Sequence, residues 1–583
     1  MRSVKIIASF FFVFGLFFSC HKDKLNIAAT GLLDEDKIAN KRGVEALLIG
    51  AYALLDGVSQ DEFGWVGGWY SGASNWIYGS VIGSEAYTGA VAPDRPDIRS
   101  LELFMTATNS HVVHEKWFAV FSGVQRANDV LRIMKKAEDI KEEDAKRISA
   151  EARFLRAHYH FEAAKMWNKV PFVDESVTYS SGNYFLSNEA PIWPAIEADL
   201  EYAMKNLKEV QIAVGRANKY AAEAYLAKAY LFQKKWADAK PLLQDLIQKG
   251  VTAGGLKYDL VNYADNFNPA TKNSKESVFS VQMSVNDGAP GANGNWGDVL
   301  NFPYIYPYVN GGSCCGFFKP TQYFVNHFKT DGNGLPELDN FNVVSIKSDD
   351  GLLSSEPFTP YEGFLDPRLD WTVGRRGIPY LDWGVHPGEN WINGQQFSGP
   401  YSPKKNVYYQ SQAGTLTEKN FWTNSITANN VNLIRFAEIL LWAAEAELET
   451  GNPEKAREYI NRVRQRAANV AGWVKNANGE PAANYKIAEY EEPWDVAFAR
   501  KALRFERVLE LGMEGHRFFD LVRWGVADTE INKYLQEEKK RRSFLNVAVF
   551  IKNKHEYFPI PQEEIDRSTG PDGVPRLKQN PGY

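Results

Sequence analysis

Acidic and basic side chains near the C-terminus have types and spacing that could support catalysis. The series is Glu506, Arg507, Glu510, Glu514, Arg517, Asp520 and Arg523. Its three- and four-residue steps put opposite charges on adjacent turns of a helix. Two carboxylates flanking a bond can hydrolyse a glycoside, but arginines so close would hold these groups as ion pairs with lowered pKa values. The series therefore indicates a charge network that braces the C-terminal helix, with Trp524 packed beside it.

Two other stretches combine Trp and Tyr with Gly, Ser and Asn. They are "DEFGWVGGWYSGASNWIYGS" at 61–80 and "NGNWGDVLNFPYIYPYVNGG" at 293–312, and neither has a helical or alternating period. A sugar presents C–H groups on its face and hydroxyls at its rim, so a sugar receptor needs flat rings and amides. We predict that residues 61–80 form an exposed loop system and that the second stretch is also loop.

The N-terminus has the features of a lipoprotein export signal. A basic start with Arg2 and Lys5 precedes a 13-residue apolar run, residues 6–18, which is too short to span a bilayer. Only Ser19 is small among the residues before Cys20, so ordinary signal peptidase cleavage fits poorly. We predict that the Cys20 sulfur receives diacylglycerol and that several acyl chains give stable attachment. An unmodified cysteine is the alternative.

Composition excludes several classes of protein. The 583-residue chain is 44% hydrophobic and 24% charged, which is typical of a folded globular protein. Aromatic residues reach 14%, which is high for a plain helical scaffold. The net charge is −6, and removal of residues 1–19 takes away two basic residues and no acid, which leaves −8. This charge does not favour a nucleic-acid partner.

The remaining cysteines and the histidines indicate no cofactor and no metal. Cys314 and Cys315 are adjacent, so neither a disulfide framework nor a zinc site of paired CxxC motifs is present. We expect two unbonded thiols, and a bond between the neighbours is the alternative. No GxxxxGKS or HExxH sequence occurs. Asp331 and Asn333 in "TDGNG" have oxygen ligands suited to calcium, but they lack EF-hand spacing and predict a tight turn.

Helical periodicity organises most of the chain. Predicted helices cover 43–55, 117–134, 150–167, 191–207 and 220–250. Residues 220–250 have the small-residue spacing of a tetratricopeptide helix pair, and a weaker copy spans 440–463 with "GNPE" as its turn. Glu447 stands where that repeat prefers an aromatic residue. The pattern predicts a mainly α fold built from helix pairs, and helices packed without repeat geometry are the alternative.

Between the two copies the helical signal is weak. Residues 255–430 contain many chain breakers and aromatic loops, and 277–284 is predicted to form a short strand. We divide the chain into a signal peptide (1–19), a tether (20–40) and one domain (41–583). Within the domain we distinguish an N-terminal helical part (41–254), a loop-rich insert (255–430) and a C-terminal helical part (431–583).

The C-terminal third resembles the SusD/RagB family of Bacteroidetes surface lipoproteins. The resemblance rests on "RFAEILLWAAEAELETG" at 435–451, "INRVRQRA" at 460–467, "RFERVLELGMEGHRFFDLVRWG" at 504–525, "YFPIPQEEI" at 557–565 and the terminal "QNPGY". It implies an outer-membrane protein, facing the cell exterior, that captures oligosaccharide and passes it to a SusC-like TonB-dependent transporter. A peptide-capturing lid of the RagB type and, third, a surface hydrolase are the alternatives.

The same resemblance implies that ligand contacts lie in the N-terminal loops and in the insert. The residues of suitable chemistry in those regions are Trp65, Trp69, Tyr70, Asn75, Trp76, Tyr78, Asn295, Trp296, Tyr304, Tyr306 and Tyr308, with Trp383 and Trp391 in reserve. No family motif assigns these contacts one by one. For each ring, packing within its loop explains its presence equally well.

The lipid anchor is directly testable. We expect mass spectrometry of the mature N-terminus to show acyl chains on Cys20, and we expect Cys20→Ser to remove the protein from the membrane fraction. Cys315→Ser, the same substitution elsewhere in the chain, should leave the fractionation unchanged. An unacylated Cys20, or a Cys20→Ser variant that stays in the membrane fraction, would contradict the anchor.

Overall fold

The computed structural model describes residues 35–57, 67–91, 93–289, 293–304, 314–419, 423–491 and 494–583. In the N-terminal part the helices are α1 (Glu35–Ile38), α2 (Lys41–Ala53), α3 (Gly67–Ser71), α4 (Pro96–Glu102), α5 (His111–Met134), α6 (Glu142–Trp167), α7 (Trp193–Asn206), α8 (Lys219–Phe232) and α9 (Trp236–Lys249). In the insert they are α10 (Gln322–Asn326), α11 (Leu369–Thr372) and α12 (Gln395–Ser398). In the C-terminal part they are α13 (Phe436–Glu449), α14 (Pro453–Ala468), α15 (Val496–Leu511), α16 (Arg517–Trp524), α17 (Ala527–Glu538) and α18 (Gln562–Arg567).

Short antiparallel strand pairs complete the regular structure. The strands are β1 (Ala86–Gly89), β2 (Ser277–Val281), β3 (Phe317–Pro320), β4 (Val373–Gly374), β5 (Ser402–Pro403) and β6 (Val431–Arg435). β1 pairs with β3, β2 with β6, and β4 with β5. Ser277 lies opposite Arg435, so the β2–β6 pair brings the start of the insert to its end. The prediction of a mainly α fold with few short strands is confirmed.

Most predicted helices are present, with earlier starts or an internal break. α2 begins at Lys41 because the side chain of Asn40 accepts a hydrogen bond from the Gly43 N–H at 3.0 Å. Residues 220–250 form two helices, and Asn218 caps the first by accepting from the Ala221 N–H at 2.8 Å. None of the helices in the described ranges is both long and apolar enough to cross a membrane.

The two tetratricopeptide-like copies lie side by side. Helices α5 to α9 pack each against the next, and α9 then packs against α13, which is almost two hundred residues further along the chain. Glu447 of α13 joins the two copies: its carboxylate accepts from Gln244 at 2.8 Å and pairs with Lys240 at 2.6 Å. The copies therefore belong to one helical layer, and the unusual Glu447 is a polar link between them.

The prediction that residues 61–80 form an exposed loop system is wrong for the part that the structure describes. Residues 69–71 and 75–82 are buried, and Trp76–Val81 forms a helical turn. A Cβ atom on Gly79 would lie 1.8 Å from the carbonyl oxygen of Gly515, and one on Gly83 would lie 2.7 Å from the Phe518 nitrogen. In the sequence, glycine at these positions is a loop signal. In the structure, it permits this backbone to approach the backbone of the C-terminal signature closely.

A buried ion network connects the insert to the C-terminal part of the chain. Its members are Glu276, Asp366, Glu506, Glu510, Glu514, Arg368, Lys405, Arg435, Arg464 and Arg466. Arg368 lies 2.7 Å from Glu506 and 3.0 Å from Glu510, and Arg435 lies 2.6 Å from Glu510. The network contains as many carboxylates as cations, and each member contacts at least one opposite charge.

This network confirms the predicted bracing role and corrects its geometry. We expected opposite charges on adjacent turns of one helix, but Glu506 and Glu510 pair with arginines from the insert, β6 and α14. Burial opposes ionisation of Glu510, yet the surrounding Arg466, Arg435 and Arg368 hold its pKa well below the usual value. Burial likewise opposes ionisation of Glu514, and Arg435 and Lys405 lower its pKa to about 2.

A second ion cluster orders α15 and α16 against α13. Arg507 lies 2.7 Å from Asp520, and Arg523 contacts both Asp520 at 2.8 Å and Glu445 at 2.7 Å. Trp524 packs beside this cluster and donates its indole N–H to Glu445 at 2.9 Å. The Asp520–Arg523 pair is the one contact in this cluster that follows the predicted spacing within a helix.

Removing one carboxylate from the first network should be costly. We expect Glu510→Gln to lower the free energy of unfolding by about 3–5 kcal/mol, because it leaves Arg368, Arg435 and Arg466 without a shared buried partner. Urea unfolding of the mature protein measures this change.

Glu563→Gln is the matched control for that experiment. Glu563 forms an exposed pair with Arg567, and exposed pairs contribute about 0–1 kcal/mol. If both variants unfold at the same urea concentration as the parent, the buried network does not have the structural weight assigned to it.

Candidate functional site

A small aromatic cluster in the insert leaves two tryptophan rings partly exposed. Phe302, Tyr380, Val407 and Tyr408 form its buried centre, separate from the main core. Trp383 and Trp391 pack on the outside of this centre. We call this group the insert cluster. It has the ring types that the sequence predicts for a binding surface. Trp383 and Trp391 are the two reserve candidates of that prediction.

Buried neighbours hold both exposed rings in place. The indole N–H of Trp383 donates to the Tyr408 carbonyl at 3.0 Å, and the two rings meet edge to face with centroids 5.5 Å apart. Trp391 meets Tyr380 at 5.7 Å and His386 at 5.2 Å, again edge to face. Each tryptophan is thus fixed from one side while part of its surface remains open.

A glycine and a neutral histidine shape the loop beneath Trp391. Gly388 has φ 90°, and its carbonyl accepts from the backbone N–H of Trp391 at 3.0 Å. A Cβ atom on Gly388 would lie 2.4 Å from a carboxylate oxygen of Asp349. His386 lies 3.0 Å from the Ser402 hydroxyl and accepts from the Gly388 N–H at 3.1 Å. Burial, with Lys319 and Lys404 nearby, lowers the pKa of His386 to about 3, so the imidazole is neutral.

The rim beside Trp391 is polar. The Asn390 side chain is exposed, and none of the described residues accepts or donates to its amide. Its backbone N–H donates to the Ser354 hydroxyl at 2.9 Å, which fixes the position of the residue. A ring with an open face and a free amide beside it can stack on a sugar and hydrogen-bond its hydroxyls.

Cys314 and Cys315 form a disulfide next to this cluster, which corrects the expectation of two unbonded thiols. Their segment is held by the Cys315 N–H, which donates to the Leu300 carbonyl at 2.9 Å, and by the Ser425 hydroxyl, which donates to the Cys314 carbonyl at 3.3 Å. Tyr304 donates its N–H to the Trp391 carbonyl at 3.1 Å. The disulfide and Tyr304 therefore lie in the same region of the insert as Trp391.

Six of the predicted ligand contacts are packed inside the protein. None exceeds 8% exposure, and they are Trp69, Tyr70, Asn75, Trp76, Tyr78 and Asn295. A ring without an open face cannot serve as a stacking platform, so the structure assigns these residues to packing. Except for Asn295, they lie within residues 69–82, which pack against the C-terminal signature.

The polar atoms of these buried residues mostly have internal partners. Trp76 donates to the Gly297 carbonyl at 3.0 Å, and the Tyr78 hydroxyl lies 2.8 Å from the Tyr70 carbonyl. Asn75 donates to Glu162 at 3.1 Å, and Asn295 donates to Asp298 at 2.8 Å. Of these bonds, the one from Trp76 to Gly297 joins the N-terminal part to the insert.

The other predicted contacts have different outcomes. Trp296 and Tyr304 are partly exposed and stay available as ligand contacts. Trp65, Tyr306, Tyr308 and the lipidation residue Cys20 lie outside the described residues.

Sequence reasoning also missed an exposed aromatic loop. Tyr179 is 88% exposed and Tyr184 is 42% exposed, with ring centroids 5.1 Å apart. Asn183 organises this loop by accepting from the Thr178 N–H at 3.0 Å and the Ser181 hydroxyl at 2.7 Å. Its sequence, "TYSSGNYF" at 178–185, has the same mixture of Tyr, Gly, Ser and Asn that was used to select 61–80. The sequence therefore carries the same loop signal at 178–185.

The fold agrees with comparisons to known proteins. The model of the SusD family matches residues 275–583, more than half of the chain, and a model described as "Starch-binding associating with outer membrane" matches residues 77–231. The chain therefore belongs to the SusD/RagB family.

Individual relatives extend this similarity over most of the chain. SusD-like protein P25 of Formosa agariphila is 25% identical over 457 residues, which cover 78% of this chain and 77% of that protein. A SusD superfamily protein from Bacteroides vulgatus has a TM-score of 0.66 at 21% identity and covers 94% of this chain and 99% of its own. Surface glycan-binding protein A from Bacteroides thetaiotaomicron, in complex with laminarihexaose, has a TM-score of 0.63 at 19% identity. The match covers 93% of this chain and 99% of that protein.

The disulfide can be checked chemically. We expect iodoacetamide to leave Cys314 and Cys315 unmodified when the mature protein is denatured without reductant, and to modify both after reduction. Peptide mass spectrometry distinguishes the two states. Alkylation of either residue before reduction would contradict the bond.

Proposed function

We propose that this protein is a cell-surface lipoprotein that binds a neutral oligosaccharide through the insert cluster. The observation that carries the proposal is the pair of partly exposed tryptophans, Trp383 and Trp391, which pack on buried aromatic rings. The chain that presents them belongs to the SusD/RagB family. Rigid rings bind with little loss of conformational entropy, which favours capture of a stiff sugar chain.

The chemistry around the rings supports a neutral ligand. Trp391 offers an open surface, Asn390 adds an amide that can donate and accept, and the neighbouring His386 imidazole is neutral. Trp296 and Tyr304 are further contacts in this proposal. A neutral sugar needs no charged partner, so burying it against this surface leaves no charge unpaired.

The names of relatives support the same ligand class. One solved neighbour with this fold holds laminarihexaose, a second is a laminarin-binding SusD-like protein, and a matching family model is called starch-binding. Glucans such as laminarin and starch are therefore the first ligands to test for this chain.

Capture and delivery, rather than catalysis, complete the proposed role. Glu510 and Glu514 are ionised partners of arginine or lysine, with lowered pKa values, and are poor proton donors. Acyl chains on Cys20 would hold the protein at the outer membrane, facing outward. In this proposal the bound sugar passes to a SusC-like TonB-dependent transporter.

Removing one ring tests the site. We expect Trp391→Ala to weaken binding of the best glucan from a laminarin and starch panel by about tenfold or more, because a central Trp contact contributes at least about 1.4 kcal/mol. Isothermal titration calorimetry measures the affinity, and thermal unfolding checks that the variant is folded.

Trp473→Ala is the matched control, because Trp473 is also partly exposed but packs on Tyr485, away from the insert cluster. Its affinity should equal that of the parent. Equal binding by Trp391→Ala and the parent would move the site elsewhere, with the Tyr179 loop as the next surface to alter. A parent that binds peptides and no glycan would replace the proposal with the RagB-type alternative.

A further inference from the structure

Two cavities meet on the outer side of the C-terminal helices. One has a volume of 380 Å³ and the other 220 Å³, and Arg500, Arg504 and Trp524 belong to the walls of both. We call this pair of cavities the basic groove. Lys533 and Arg517 also line the larger cavity, where cations outnumber carboxylates.

Most carboxylates in the groove are already occupied. Glu445 accepts two bonds from Arg523, both at 2.7 Å, and a third from the Trp524 indole. Glu449 forms a two-point pair with Arg500 at 2.7 and 3.0 Å. These two carboxylates therefore have little capacity left for another cation.

The other two carboxylates also have partners. Asp339 lies 2.5 Å from Lys501, and Glu530 lies 3.9 Å from Arg517. Together with the pairs above, they account for the anionic side chains that line both cavities. The remaining cations are Arg504, Lys533 and the exposed Lys234.

Arg504 is the unusual member of this set. It is partly buried, yet no described residue accepts a hydrogen bond from its guanidinium or pairs with it within 4 Å. The guanidinium lies 5.0 Å from the centre of the Trp524 ring, which orients it without neutralising its charge. Burial lowers the pKa of Arg504, the direction expected for a cation with an incomplete environment. Lys533 stands exposed at the same cavity, 5.6 Å from the Phe341 ring.

We propose that the basic groove binds the anionic group of an acidic sugar, a carboxylate or a sulfate, through Arg504 with Lys533 at the rim. A planar guanidinium presents paired N–H donors that match either group. A concave site of 380 Å³ has the size of a small-ligand pocket. The inference rests on the proposed function for its ligand class, and it adds a second site with a different charge preference.

The test compares acidic and neutral polysaccharides. Native gels contain polygalacturonate as the carboxylate source, carrageenan as the sulfate source, or laminarin as the neutral reference. We expect one of the acidic gels to retard the mature protein, and we expect Arg504→Gln to weaken that retardation by about tenfold, the factor for one charge-assisted hydrogen bond. Whichever acidic polysaccharide responds identifies the anionic group.

Arg576→Gln is the control, because it removes the same single charge from an exposed pair with Asp572 outside the groove. It should bind as the parent does, and Arg504→Lys should retain part of the affinity. Thermal unfolding verifies that Arg504→Gln is folded.

The inference is overturned if the parent is retarded by neither acidic polysaccharide, or if Arg504→Gln and Arg576→Gln behave alike. Failure of the proposed function gives a different result. In that case laminarin and starch show no binding that depends on Trp391, while the acidic arm still depends on Arg504.

Discussion

The buried ion network is the constraint on which the rest of the structure depends. An ionised side chain inside a protein is tolerated only when its opposite charge is in contact, because desolvation otherwise costs several kcal/mol per ion. Here the opposite charges come from the start of β2, the turn before α11, the end of β6, α14 and α15. These segments, and the segment after β5 that carries Lys405, must meet before the whole network is balanced. This requirement links parts of the chain that local helix formation alone would leave independent.

The network also explains how an irregular insert can carry a binding surface. Glu276, Arg368 and Lys405 bind the insert to the C-terminal part at several points along its length. Between these points the chain has few long elements, yet the rings of the insert cluster rest on buried aromatic neighbours. Loops supported in this way present rigid surfaces while their sequences remain free to vary. The disulfide and Tyr304 add two further features beside the same rings.

Charge balance separates the two surfaces proposed for ligands. In the core network each cation has a carboxylate, and the insert cluster has a neutral histidine and an amide at its rim. In the basic groove the carboxylates pair with other cations, and none of them accepts a hydrogen bond from Arg504. A chain with a net charge of −6 therefore contains one local site suited to an anion. The difference arises from the pairing of residues and not from overall composition.

The sequence by itself determined features that depend on near neighbours in the chain. Helical periodicity, the tetratricopeptide-like pairs and the family signature are all local patterns, and the structure and comparisons confirm the helices and the family. Only the tertiary structure decided which aromatic residues are buried. Trp76 and Trp391 stand in similar mixtures of glycine and polar residues, yet Gly79 and Gly83 allow the first to enter the core while Trp391 remains at the surface. The same holds for Glu506 and Glu510, whose charge was evident but whose partners lie up to 142 residues away. Burial and pairing over such distances depend on packing of the whole chain, which residue type and spacing do not encode locally.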